Sequence, residues 1–64
     1  MANLNKKKTP NEQAPEMALR LLARREHSRL ELAMKLRQRR VESPVIDQVL
    51  DDFEEKGWLS DDRF

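Results

Sequence analysis

The sequence of 64 residues contains no cysteine, and His27 is its single histidine. Without cysteine there is neither a disulfide nor a thiolate metal site, and one imidazole does not make a cluster of metal ligands. Gly57 is the only glycine, which excludes a glycine-rich loop around a phosphate group. We therefore expect no metal, no cofactor and no catalytic centre, and predict that the chain is not an enzyme.

Long apolar runs are also missing from the sequence. None approaches the roughly 20 residues that a membrane-spanning helix needs. Residues 1–15 lack the apolar stretch of a secretory signal. We expect a cytoplasmic chain without a membrane partner, folded as one small domain.

Charged residues are abundant, and the two signs are separated along the chain. Between residues 15 and 40 there are eight bases and three acids, whereas residues 41–64 hold two bases and eight acids. Such a division indicates either that the halves neutralise each other or that each half faces a partner of opposite sign.

The spacing of apolar residues predicts an all-α fold, a three-helix bundle of helix-turn-helix-like shape. Helices are expected at about 15–26, 29–40 and 44–56, within a repeat that spans residues 15–59. Residues 1–14 have no apolar period and are predicted to be a disordered tail. Residues 60–64 are predicted to begin a truncated fourth helix, because Ser60 is a good N-cap and Leu59 with Phe64 has the spacing of a hydrophobic staple.

The third predicted helix has signals at both of its ends. Ser43 is expected to be its N-cap, with Pro44 at the first helical position. Gly57 is expected to end the helix in a Schellman motif, with Trp58 folded back on Phe53.

The second predicted helix begins with the pattern of a capping box. Ser28 is its expected N-cap, and Glu31 lies three residues later. Glu31 is also expected to pair with Lys35, one turn further along the outer face. His27, just before the cap, is expected to pack or form hydrogen bonds at the corner between two helices.

The apolar face of each predicted helix indicates which side chains form the core and which apolar side chains stay exposed to solvent. We expect Leu19, Met34 and Trp58 to be left partly exposed. The predicted core comprises Ala18, Leu22, Leu32, Ala33, Leu36, Ile46, Val49, Leu50 and Phe53.

Basic residues on the first two helices are the candidate binding residues for nucleic acid or a partner protein. Cations in the last turn of a helix also stabilise it through its dipole, so part of this cluster has a structural explanation. The acidic third helix would be repelled by the phosphates that flank a DNA groove. The candidates are therefore Arg24, Arg25, Arg29, Lys35, Arg37, Arg39 and Arg40.

Two stretches together carry a family resemblance. Residues 25–36 read R-E-H-S-R-L-E-L-A-M-K-L, and residues 57–64 read G-W-L-S-D-D-R-F. They resemble the patterns R-x-H-S-x-x-E-L-x-x-K-L and G-x-L-x-D-x-R-F of the first repeat of bacterial RecX regulatory proteins. At the second joint, where many members have a glycine, this chain reads R-R-V-E-S.

The resemblance implies an all-helical protein of tandem three-helix repeats. It implies binding to the RecA recombinase filament on single-stranded DNA and inhibition of RecA in recombination, repair and the SOS response, without an enzymatic reaction. The repeats that follow the first one would be missing from this chain. The alternative from the residues alone is a helix-turn-helix-type domain that binds nucleic acid directly, with RecA-independent affinity as the distinguishing property.

Overall fold

A computed structural model describes residues 9–60 of the chain. It contains α1 (Pro10–Arg24), α2 (Arg29–Gln38) and α3 (Ser43–Glu55), and each helix packs against the other two. The predicted all-α three-helix bundle is confirmed. Residues 1–8 of the predicted tail and residues 61–64 of the predicted fourth helix lie outside the described residues.

α1 begins at Pro10, which is five residues earlier than expected, so the prediction of disorder for residues 9–14 is wrong. The Thr9 hydroxyl accepts a hydrogen bond from the backbone N–H of Glu12 at 3.2 Å. In return, the Glu12 carboxylate accepts from the Thr9 N–H at 3.2 Å. This capping box starts the helix upstream of Pro15, within a stretch for which the lack of an apolar period predicts a disordered tail.

The corner between α1 and α2 is built around His27, which is 2 % exposed. Its Nδ1 lies 2.9 Å from the carbonyl oxygen of Arg25. Its own carbonyl accepts a hydrogen bond of 2.9 Å from the backbone N–H of Ser60, in a parallel bridge that joins Ser28 and Ser60. The predicted packing and hydrogen-bonding role of His27 is confirmed, and α1 ends at Arg24 rather than near residue 26.

Ser28 caps α2 as predicted, with its hydroxyl accepting from the Glu31 N–H at 3.1 Å. The helix ends at Gln38, two residues before the expected end. Arg40 then has a φ of 72°, in the left-handed region. The N–H of Val41 donates to the Leu36 carbonyl at 3.1 Å. α2 therefore ends in a Schellman motif in which an arginine occupies the position that glycine usually takes.

α3 begins one residue earlier than predicted, with Glu42 as its N-cap residue. Ser43 is the first residue of the helix, so the expectation that Ser43 would cap it is wrong. Glu42 makes no side-chain capping bond of its own.

The end of α3 matches its prediction. Gly57 has a φ of 74°, and the Trp58 N–H donates to the Phe53 carbonyl at 3.0 Å. The Phe53 and Trp58 rings meet edge to face, with centroids 5.2 Å apart. The Schellman ending and its hydrophobic contact are confirmed.

The core lies where the three apolar faces meet. Buried as predicted are Ala18, Leu32, Leu36, Ile46, Val49, Leu50 and Phe53. Leu22 and Ala33 pack against this core but are only partly buried. Ala14, Leu21 and Val41 are buried although the prediction omitted them. The expected exposure of apolar side chains is confirmed: Leu19, Met34 and Trp58 are 46%, 54% and 46% exposed.

Candidate functional site

Arg29 is the basic residue that joins the two oppositely charged parts of the bundle. Its Nη2 donates to Asp51 Oδ1 at 2.8 Å, and its Nη1 donates to Glu54 Oε1 at 2.6 Å. The hydrogen bond to Asp51, followed by that to Glu54, raises the pKa of Arg29 above its ordinary value. This candidate residue thus holds α2 against α3, and its guanidinium is already engaged by carboxylates.

Arg25 is also engaged within the bundle. Its Nη2 pairs with Glu31 Oε2, and its Nη1 donates to the Glu26 carbonyl at 2.8 Å. The hydrogen bond from Arg25 lowers the pKa of the Glu31 carboxyl. The expected pair of Glu31 with Lys35 is therefore wrong, because the Glu31 carboxylate pairs with Arg25 at the end of α1 instead.

Four of the seven candidate residues line one cleft, formed by the end of α1, the corner and the outer face of α2. We call it the basic cleft. Its volume is about 380 Å³. Leu21 supplies its apolar wall, and buried His27 forms part of the lining. Its residues are Leu21, Arg24, Arg25, His27, Lys35 and Arg39.

Three cations of the basic cleft form no ion pair with the carboxylates that the structure describes. Within residues 9–60, no carboxylate forms an ion pair with Arg24, Lys35 or Arg39. Lys35 lies on α2, Arg39 is the C-cap residue about one turn after it, and Arg24 is the last residue of α1. Because like charges at this spacing repel, an anion in the cleft would relieve the repulsion. The arrangement suits binding of a negatively charged group.

The remaining candidates, Arg37 and Arg40, are exposed and do not line the basic cleft. His27 lines it although its sequence position suggested only a corner residue. The sequence offered one signal for this role: His27 lies along the chain between the candidates Arg25 and Lys35, which stand on either side of the corner between α1 and α2.

A second, mostly apolar cleft of about 350 Å³ lies between α1 and the end of α3. Leu19, Leu22, Ala23 and Trp58 line it. Leu19 and Trp58, two of the three apolar side chains that were predicted to remain partly exposed, are therefore close together in this cleft.

The described residues offer no metal site and no helix suited to the bilayer. Among residues 9–60 there is no group of three or more His, Cys, Asp or Glu side chains placed to hold a metal ion. None of the three helices is long and apolar enough to cross a membrane.

Comparison with known proteins agrees with this architecture. Residues 14–53 match the family description "RecX, first three-helix domain". The chain belongs to the RecX family. The match includes the larger part of α1, the whole of α2 and the larger part of α3, and so contains every residue that lines the basic cleft.

Two relatives illustrate the similarity, and both are named "Regulatory protein RecX". That of Pseudomonas fluorescens strain SBW25 is 53% identical over 47 residues, which are 73% of this chain and 30% of the relative. That of Stenotrophomonas maltophilia strain K279a is 45% identical over 60 residues, 92% of this chain and 37% of the relative. The chain thus spans about a third of the length of the RecX proteins it matches. The name describes a regulator rather than a reaction, in agreement with the predicted non-enzymatic role.

No solved structure matches the chain.

Proposed function

We propose that this chain acts as the first domain of a RecX regulatory protein, in the cytoplasm. In this proposal it binds the RecA recombinase filament on single-stranded DNA and lowers the activity of RecA in recombination, repair and the SOS response. The observation that carries the proposal is family membership, through the match of residues 14–53 to the first three-helix domain of RecX.

The charges of the bundle support a composite partner. Within residues 9–60, the basic cleft offers unpaired cations on the side of α1 and α2, while the exposed carboxylates of Asp47 and Glu55 on α3 form no ion pair. A filament presents both anionic DNA and protein surface, so oppositely charged faces of one domain can meet different parts of it. We assign direct contact to Arg24, Lys35 and Arg39, and outer contacts to Arg37 and Arg40. Arg25 and Arg29 contribute by holding the helices that carry these groups.

Further three-helix repeats of the same protein are proposed to share the binding. The chain spans about a third of its RecX relatives. Linked modules bind more tightly than one module because the second contact becomes intramolecular. We therefore expect one repeat alone to bind the filament more weakly than a chain with several repeats.

Sedimentation of RecA filaments with the chain tests the proposal. Filaments assembled on single-stranded DNA are pelleted, and the fraction of the chain that travels with them is compared with its binding to the same DNA without RecA. We expect binding at physiological salt only when RecA is present, together with slower strand exchange by RecA. Chain that stays in the supernatant with filaments, at concentrations up to roughly 0.1 mM, would overturn the proposal.

A second candidate function is direct nucleic-acid binding by a helix-turn-helix-type domain. The unpaired cations of the basic cleft favour it. The exposed carboxylates of α3 oppose insertion of that helix into a DNA groove, so α1 and α2 would have to make the contact. Equal affinity for single-stranded DNA with and without RecA would favour this candidate over the first.

A further inference from the structure

The basic cleft holds more positive charge than the fold requires. The Arg25–Glu31 pair stabilises the corner between α1 and α2, and Arg29 joins α2 to α3. Arg24, Lys35 and Arg39 perform no comparable task within residues 9–60, yet they surround one cleft. Three cations at one place, unpaired within the described part of the chain, suit an anionic ligand.

The lining of the cleft indicates which part of a ligand it can recognise. Among the described residues that line it, Leu21 is the one aliphatic side chain and His27 the one aromatic side chain. The His27 ring is 2 % exposed, so it offers no open face on which a base could stack. Proteins that hold unpaired bases stack them on exposed aromatic rings, which the described lining of this cleft does not provide. Guanidinium and ammonium groups instead suit phosphate oxygens.

We propose that the basic cleft binds the phosphodiester backbone of a nucleic acid through Arg24, Lys35 and Arg39, without reading its bases. A nucleic-acid strand carries one negative charge for each nucleotide, so a single strand brings successive charges to all three cations. An acidic protein segment would have to supply carboxylates at matching intervals. The inference deepens the direct-binding candidate and rests on it; it does not depend on RecA.

Two double variants of equal charge test the location of the site. Lys35→Gln with Arg39→Gln removes two cations of the cleft, whereas Arg37→Gln with Arg40→Gln removes two exposed cations of the same helix end, outside the cleft. A fluorescein-labelled oligothymidylate is titrated with each protein at several NaCl concentrations, and circular dichroism checks that each variant is folded.

We expect the cleft variant to bind on the order of tenfold more weakly at low salt. The negative slope of log K against log salt should become shallower by about 1.4, since each phosphate contact on a single strand contributes roughly 0.7 to its magnitude. The control variant should keep the slope of the unaltered chain. Equal losses in both variants would mean that binding follows overall charge rather than the cleft, and no binding by the unaltered chain at low salt would also overturn the proposal.

A gain of affinity provides an independent test. Glu31→Gln removes the carboxylate that occupies Arg25, so the guanidinium becomes available to a ligand in the cleft. We expect tighter binding and a steeper salt slope than with Glu55→Gln, which removes one exposed carboxylate from α3. Equal effects of the two variants would show that Arg25 and the cleft are not involved.

The nature of the ligand is tested with altered polymers. A strand of abasic sites should bind as tightly as oligothymidylate, because its phosphates are intact. Polyglutamate should compete poorly at equal charge concentration. Loss of binding to the abasic strand, or equal competition by polyglutamate, would overturn the proposal. RecA is absent from these assays, so a chain that binds filaments but fails here refutes this inference together with the direct-binding candidate and leaves the filament proposal standing. Failure with filaments leaves this inference standing.

Discussion

Asn11 of α1 accepts, through Oδ1, a hydrogen bond of 2.9 Å from the backbone N–H of Glu42, the N-cap residue of α3. In a capping box this N–H is satisfied by a glutamate or glutamine three residues further on. Here that position holds Val45, which has no acceptor. The first turn of α1 therefore completes the start of α3 from 31 residues away in the sequence.

Replacement of Asn11 by Ala should lower the free energy of unfolding by roughly 0.5 to 1.5 kcal/mol, the usual range for a lost hydrogen bond. Urea denaturation followed by circular dichroism measures this change. Gln48→Ala, at an exposed position of α3, is the control and should change stability by less than about 0.5 kcal/mol. If both variants unfold at the same urea concentration, the bond does not stabilise the start of α3.

Pro15 lies inside α1 and is exposed. Its replacement by Ala restores a backbone donor to the Asn11 carbonyl, so we expect the free energy of unfolding to rise by roughly 1 to 3 kcal/mol. Pro44→Ala is the matched control, because a proline in the first turn of α3 costs no helical hydrogen bond. A melting temperature of Pro15→Ala at or below that of the unaltered chain would argue against a continuous α1.

Arg40 has a φ of 72°, where a side chain is strained and glycine is not. Arg40→Gly should therefore stabilise the domain by about 1 kcal/mol or more. Arg37→Gly removes the same charge from the last turn of α2 and should destabilise it by up to about 1 kcal/mol. Thermal melts of the two variants should thus shift in opposite directions, and a shared direction would contradict the left-handed turn.

Leu36 and Phe53 are buried at the centre of the bundle. Each replacement by Ala should cost about 2 to 5 kcal/mol, which is comparable to the whole stability expected of so small a domain. Leu30→Ala is the control, since Leu30 is 63% exposed. Circular dichroism at 25 °C should show loss of helix for the two core variants, and an unchanged melt of Phe53→Ala would show that the inner face of α3 is misassigned.

The ion pair of Arg25 with Glu31 should make stability depend on pH. The folded-state pKa of the Glu31 carboxyl is lowered below its unfolded value. Its contribution is therefore present above the unfolded pKa of about 4.3 and is lost as the pH falls through the folded pKa. Melting temperatures measured from pH 7 to pH 3 should fall less steeply for Glu31→Gln than for the unaltered chain. Both side chains are partly exposed, so the difference should be small and should shrink in high salt. Parallel curves would exclude the pair as a source of acid sensitivity.

Most of the fold could be predicted because the helix-capping residues lie where the spacing of apolar residues places the helix ends. The Gly57 ending of α3 and the Ser28 cap of α2 depend on neighbouring residues alone, and the structure confirms both. The start of α1 was not predicted because residues 1–14 show no apolar period, whereas the helix begins through the reciprocal hydrogen bonds of Thr9 and Glu12. The hydrogen bond from the Glu42 N–H to Asn11 joins positions that come together only in the packed bundle, so no pattern of neighbouring residues predicts it.

The candidate site could be predicted by residue type but not by location. Charge and spacing identified a basic cluster on the first two helices. Which of those cations remain free depends on long-range pairing, and Arg29 finds its carboxylates on α3 only after folding. Glu31 similarly had two possible partners, and the turn at His27 brings Arg25 to it rather than Lys35.

Trp58 is the only tryptophan, and the chain contains no tyrosine. Its ring is half exposed, rests against Phe53 and has the Lys56 ammonium 5.5 Å from its centre. Emission excited at 295 nm will therefore come from one place at the end of α3. The protein thus carries its own optical probe, whose wavelength will shift when a molecule covers the apolar cleft or when the Phe53 contact opens, with no label attached.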